Sequence, residues 1–264
     1  MTKYGAAFRM GIGVSMEHRV DFFMNLLSTV FPVIIQVFLW SALYSDGGTM
    51  YGYTFGEMMV YVFIAGAVSK FVNTGVEMKV NEDIHSGALS KYLVMPVSYL
   101  GFRLSCAMGE RLFAMFIMTL LTAATILGLG IAGLYTGAGA ALILFVPALF
   151  LGLVLNFFLF TVISYSAFWI TEAGRLFHTV SVTIMVFSGG VFPVDIFGPA
   201  VKGALDYMPF IYTIGFPIRT ATGNLAVSDI LNGMLIQCFW ILVLAALSRV
   251  VWSAGSRKFS AAGG

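Results

Sequence analysis

The sequence predicts an all-α integral membrane protein: six membrane-spanning helices behind an interfacial amphipathic helix, in a single domain covering residues 1–264. Three observations lead there. Hydrophobic residues make up 59% of the chain and charged residues 10%, with a mean hydropathy of +0.95. A soluble domain carries about 25% charged residues. Apolar runs long enough to cross about 30 Å of hydrocarbon recur along the chain. The basic residues gather, almost without exception, on one side of those runs.

The first twenty-one residues mix Tyr4, Phe8, Met10, Ile12 and Val14 with Lys3, Arg9, Glu17, His18 and Arg19, which suits a helix lying along the inner leaflet. The start of the chain lacks a long early apolar core, so the first span is expected to serve as a retained insertion signal. That span runs over 22–44 and contains Pro32, which membrane helices tolerate. SDGGTMYG turns the chain into a second span, 55–76, interrupted by Glu57, Lys70 and Asn73.

From Leu112 to Thr171 no charged residue occurs. A single helix of that length would be about 90 Å long, so the chain must turn, and the glycines of 131–141 supply the place. This gives spans at 112–131 and 141–170. TEAGR (171–175) precedes a fifth span, 176–191, and the sixth covers 230–252. Between these two, Pro193, Pro199, Pro209 and Pro217 argue against one regular helix. Short interfacial or re-entrant helices are expected over 192–217, provided protein covers their backbone.

With six spans and both termini inside, Lys3, Arg9, Arg19, Lys79, Lys91, Arg103, Arg111, Arg175, Arg249, Arg257 and Lys258 face the cytoplasm, and only Lys202 and Arg219 fall outside. The positive-inside rule therefore places both ends in the cytoplasm. The net charge of +2, without a basic cluster, gives no reason to expect a nucleic-acid partner. Cys106 and Cys238 have no metal-ligand spacing and read as buried small apolar residues.

No P-loop, H-E-x-x-H or G-x-S-x-G pattern is present. His18, His85 and His178 are far apart, and the spans hold neither paired carboxylates nor a metal cluster. The chain is thus expected not to be an enzyme and to carry no cofactor or metal. Lys70 and Glu77, seven residues apart, share a helical face near the inner boundary, and Arg103 and Glu110 repeat that spacing. They read as boundary charge pairs or snorkelling groups, with a transport relay as the alternative. Asn25, Gln36, Asn156 and Gln237 are neutral groups able to join helices or line a path.

The stretch NEDIHSGALSKYLVMPVSYLGFR (81–103) is the most charged interior segment. Asn81, Glu82 and Asp83 suit a helix N-terminus, Ile84, Leu89, Tyr92 and Leu93 give an apolar side, and Pro96 ends the segment. A short amphipathic cytoplasmic helix is expected.

The pattern Glu82-Asp83-Ile84…Gly87-x-Leu89…Tyr92-Leu93-x-x-Pro96-Val97 resembles the first cytoplasmic loop of ABC type-2 permeases. SGGVFPVDIFG (188–198) and LDYMPFIYTIGFP (205–217) resemble the same family's segment between the fifth and sixth spans. The resemblance covers most of the chain. It implies a type-2 ABC exporter-like permease in a prokaryotic plasma membrane, with ATP and Mg on a separate ABC ATP-binding subunit. It also implies a second permease copy or related chain, with substrate moving along their interface. Glu82, Asp83, Ile84, Gly87, Leu89 and Tyr92 would then couple to the ATPase. The substrate would be hydrophobic or amphipathic (drug, peptide or lipid-like), in keeping with Phe22, Phe23, Phe31, Phe38 and Trp40 in the first span and Met115 and Met118 in the third. Those side chains equally suit lipid or helix contacts. The rival reading is an ATP-independent secondary carrier or scaffold subunit, which predicts buried ionisable residues near mid-membrane and inverted repeats; only Lys70 is found, and no internal repeat.

Overall fold

The computed structural model describes residues 3–17, 19–45, 47–131, 140–222 and 225–259. Among them all the regular elements are helices, with no strand beyond one isolated bridge, Met50 to Tyr53. Helices α1 (Lys3–Glu17), α2 (Arg19–Leu43), α3 (Phe55–Val72), α4 (Val76–His85), α5 (Leu89–Leu93) and α6 (Tyr99–Ile131) form the first half. The second half holds α7 (Ala140–Ser164), a 3-10 turn Tyr165–Phe168, α8 (Ala173–Phe187), α9 (Gly198–Leu205), α10 (Pro209–Thr213), α11 (Gly215–Ala221) and α12 (Val227–Ser256).

Three stretches among the described residues are long and apolar enough to cross a membrane: Phe55–His85, Ile143–Phe168 and Val227–Ser256. Val30–Leu43 and Ala173–Phe187 are shorter apolar helices. The molecule wears its hydrophobicity outside. Phe31, Ile35 and Phe38 on α2, and Leu235, Phe239, Leu242 and Val250 on α12, are exposed. A contiguous apolar surface of this kind needs lipid or another chain against it. The chain is an all-α membrane protein.

Local chemistry sets the helix boundaries. Thr54 and Glu57 form a reciprocal capping box at the start of α3: the Thr54 amide donates to Glu57 Oε2 at 2.8 Å and the Glu57 amide to Thr54 Oγ1 at 3.3 Å. Glu57 is thus a cap. At the other end of α3, Arg111 donates to the carbonyls of Lys70 and Asn73, which satisfies the last turn. The chain breaks at Asn73–Gly75, where Gly75 takes φ +62, a conformation that favours glycine. The break comes earlier than the sequence suggests. Asn81, Glu82 and Asp83 therefore sit in the last turns of α4 rather than at a helix N-terminus, and the charged stretch is divided among α4, α5 and the start of α6.

Hydrophobic clusters hold the helices together. Trp40 of α2 and Tyr44 just after it pack with Tyr53, Met58, Met59 and Val62. Val60, Tyr61, Ile64, Val68 and Phe71 of α3 meet Phe145, Leu149 and Leu153 of α7 and Ile214 and Ile218 beside and within α11. The largest core joins α4, α5, α7, the 165–168 turn, α8 and α12. Beside a smaller cluster of Ala148, Phe216 and Ile230, the Gln237 amide donates to the Ala148 carbonyl at 3.0 Å and the Tyr212 carbonyl at 2.8 Å, tying α12 to α7 and α10. Pro199 and Pro209 occupy first-turn positions of α9 and α10, where the missing amide costs nothing. Cys106 is buried, whereas Cys238 is exposed on α12; its apolar preference is met outside the protein, which corrects the expectation that both cysteines are buried.

Candidate coupling site

The charged stretch is built around Asp83. Tyr99 Oη donates to Asp83 Oδ2 at 2.5 Å, Arg103 Nη2 pairs with the same oxygen, and Arg103 Nε donates to Tyr99 Oη at 3.3 Å. Asp83 lies in the last turn of α4, the unfavourable end of the helix dipole for an anion, and the guanidinium from α6 offsets that. Burial pushes the Tyr99 hydroxyl well above its ordinary pKa, so it stays protonated and donates. Asp83, Leu89, Tyr92 and Tyr99 are buried.

Aromatic rings surround this polar node. Tyr99 stacks on Trp252 of α12, with centroids 5.0 Å apart and planes 13° apart. Tyr165 and Phe168 reach the same indole at 5.2 and 5.7 Å. Tyr92 meets Tyr99 and Phe102 edge-on or tilted at 5.3 and 5.2 Å, and Arg103 lies over the rings of Tyr92 and Tyr99. Each such pair contributes about 0.5–1.5 kcal/mol beyond its buried area. The node therefore connects the stretch to α6, α12 and the end of α7 in one packed unit.

The six residues singled out in the sequence divide. Asp83, Ile84, Leu89 and Tyr92 are buried within this chain, Gly87 is partly buried, and Glu82 is exposed. What protrudes instead is Lys91 and the run Leu93–Pro96, with Val94 85% exposed. The sequence places Leu93 on the apolar side of the segment and Pro96 at its end, but the exposure of Val94 and Met95 was missed, although Leu-Val-Met beside Pro96 in a polar loop signals it. Tyr99, Tyr165 and Trp252 were also missed; aromatic residues at span ends are their signal.

The boundary charges have other partners than heptad spacing suggests. Arg103 pairs with Asp83, and Lys79 Nζ reaches both oxygens of Glu110 at 2.8 and 2.7 Å. Glu77 is 6% exposed, and among the described residues its Oε2 has no hydrogen-bond partner. The backbone carbonyl of Lys70 accepts from Arg111. The amide oxygens of Gln36 and Asn156 have no partner among the described residues. His85 and His178 are exposed, and His18 and the side chains of Phe22, Phe23, Asn25, Met115 and Met118 lie outside the described residues.

Helix α1 braces the far side of the stretch. It runs parallel to the start of α6: Lys3 Nζ donates to the Pro96 carbonyl at 3.0 Å, Tyr4 Oη and Ser98 Oγ are 3.2 Å apart, and Cys106 Sγ reaches the Ala7 carbonyl at 3.4 Å. Gly11 lies against the backbone of Cys106, and Gly109 against that of Phe8. A side chain at either position would push the helices apart.

A family model described as ABC-2 family transporter protein matches residues 30–263. No curated protein matches the chain.

Proposed function

This chain belongs to the ABC-2 transporter family, and from that premise we propose that it is the permease subunit of an ATP-driven exporter. Members of the family are generally transport subunits without an ATPase site of their own. ATP and Mg are bound by a partner ABC ATP-binding subunit, and two permeases, identical or related, enclose the path. Six spans cross a prokaryotic plasma membrane with both termini in the cytoplasm, and the short helices of 192–217 re-enter at the outer end. The cargo is hydrophobic or amphipathic.

One observation carries this reading: the charged stretch presents an exposed tip, Leu93–Pro96, on a base clamped to three helices through Asp83, Arg103 and Tyr99. A connecting loop has no need of such a base. ATPase closure pressing on the tip would move α4, the start of α6 and the end of α12 together. Because packed helices switch between discrete arrangements rather than deform continuously, that push exchanges an inward-open for an outward-open path.

The test is transport. Inside-out proteoliposomes holding this chain and co-expressed ABC ATP-binding subunits of the same cell should accumulate a fluorescent amphiphile with ATP, and lose that activity when the P-loop lysine of the ATPase is replaced. Accumulation that ignores ATP would contradict the reading.

A further inference from the structure

At the end of the molecule away from the charged stretch, α10, α11 and the first turns of α12 enclose a cleft of about 180 Å³. Arg219, Asp206, Asp229 and Asn232 line it. These charges do not satisfy one another. Among the described residues neither the guanidinium nor either carboxylate makes an ion pair or a side-chain hydrogen bond, so the guanidinium stands more than 4.0 Å from both carboxylates. Charged groups of both signs that converge on a cleft without pairing leave their hydrogen-bonding capacity for a third party.

The cleft is firmly built. Arg219 projects from α11, whose Phe216, Pro217, Ile218, Thr220 and Ala221 are all buried. Tyr212 Oη donates to the Asp206 carbonyl at 3.0 Å, fixing the ring that lies 5.8 Å from Phe216. Phe216 in turn is pressed against Gly233 of α12, where any Cβ would meet the ring. Phe216, Leu225 and Ile236 supply an apolar wall.

Size and charge narrow the ligand. At about 180 Å³ the cleft is smaller than the pockets of drug-sized molecules, which measure about 300–1,000 Å³. A simple anion would face two carboxylates, and a simple cation would face the guanidinium. A zwitterion separates its charges and satisfies both. Guanidinium is suited to phosphate or carboxylate through its planar fork, and Leu225 and Ile236 give the start of an attached chain an apolar wall.

We propose that this cleft binds the zwitterionic headgroup of an amphiphile, with its phosphate or carboxylate on Arg219 and its ammonium on Asp206 and Asp229. Such a headgroup has two sources, a membrane phospholipid and a free or exported zwitterion. Binding needs only this chain, so the proposal stands or falls separately from ATPase coupling.

The experiment measures binding of fluorescent phosphatidylethanolamine and phosphatidylglycerol to the purified chain in lipid-free detergent, with soluble O-phosphorylethanolamine as competitor. The expected result is at least tenfold tighter binding of the zwitterionic lipid, a tenfold or greater loss in Arg219→Gln, partial rescue in Arg219→Lys, and a narrowed preference in Asp229→Asn. Asp229 is exposed on α12, so that variant keeps the reading informative if Arg219→Gln fails to fold. Competition by O-phosphorylethanolamine assigns a free zwitterion as sufficient; lipid binding without competition assigns the membrane lipid; both sustain the proposal. Equal affinity for the two lipids, unchanged binding in Arg219→Gln and Asp229→Asn, or no binding by the folded wild type would overturn it.

Discussion

Asp83 and Glu77 stand six residues apart on one helix, both buried, and their surroundings differ completely. Asp83 has a guanidinium and a phenol; Glu77 leaves an oxygen without a partner among the described residues. Removing one member of a buried ion pair costs about 3–5 kcal/mol, since the other charge stays behind. Asp83→Ala should therefore lower thermal stability in detergent by about 3 kcal/mol, and Asp83→Ala/Arg103→Met should recover most of it. A single variant as stable as wild type would show that the pair does not hold the node. For Glu77→Gln the expectation is reversed: thermal unfolding should be unchanged or shifted upward, because an amide is cheaper to bury than an uncompensated carboxylate. A strong loss would mean that Glu77 has a partner elsewhere. Neither outcome was legible from spacing alone. Lys70–Glu77 and Arg103–Glu110 fit a heptad, but the break at Gly75 rotates α4 away from α3, and long-range packing hands Arg103 to Asp83.

At the scale of elements, the apolar runs were legible from composition and fall on α2, α3, α6, α7, α8 and α12, and among the described residues three stretches are long and apolar enough to cross a membrane. The extent of α6 was less so. It continues back to Tyr99, 33 residues or about 50 Å, because α1 covers its polar first turns and replaces the water those residues would otherwise need. Gly109→Leu should separate the pair and expose the α1 segment to limited proteolysis; an unchanged cleavage pattern would show that the glycine contact is dispensable. Gln237→Ala removes the amide that bridges α7 and α10, and should cost roughly 0.6–2 kcal/mol in thermal stability.

The segment after α8 has its own latch: Lys202 Nζ lies 2.5 Å from Asp195 Oδ1, and Tyr53 Oη donates to Oδ2 at 3.1 Å. Burial alone would raise the Asp195 pKa, but the Lys202 and Tyr53 contacts outweigh it and hold the carboxyl below its usual value. A folded-state pKa below the unfolded one stabilises at pH above the ordinary Asp value of about 3.9 and loses that contribution as pH falls through the folded value. Hydrogen exchange over 194–205, taken relative to the intrinsic amide rate at each pH, should accelerate in that acid range in wild type and keep a constant ratio in Asp195→Asn. Acid acceleration that persists in the variant would exclude this carboxylate as the cause.

For the whole molecule, the central claim is a division of labour within residues 81–103: an exposed tip that docks and a buried node that transmits. The residues of that stretch were conspicuous in the sequence, but their division was not, since it depends on Trp252, Tyr165 and Phe168 arriving from the far end of the chain. The most direct measurement co-purifies the chain with a co-expressed ABC ATP-binding subunit of the same cell and scores both the ATPase retained and its hydrolysis rate, for wild type, Val94→Asp and Asp83→Ala/Arg103→Met. The account predicts that Val94→Asp sheds the ATPase while remaining folded, and that the double variant keeps it but no longer adjusts hydrolysis to transport. Full retention by Val94→Asp, with normal hydrolysis, would contradict the claim.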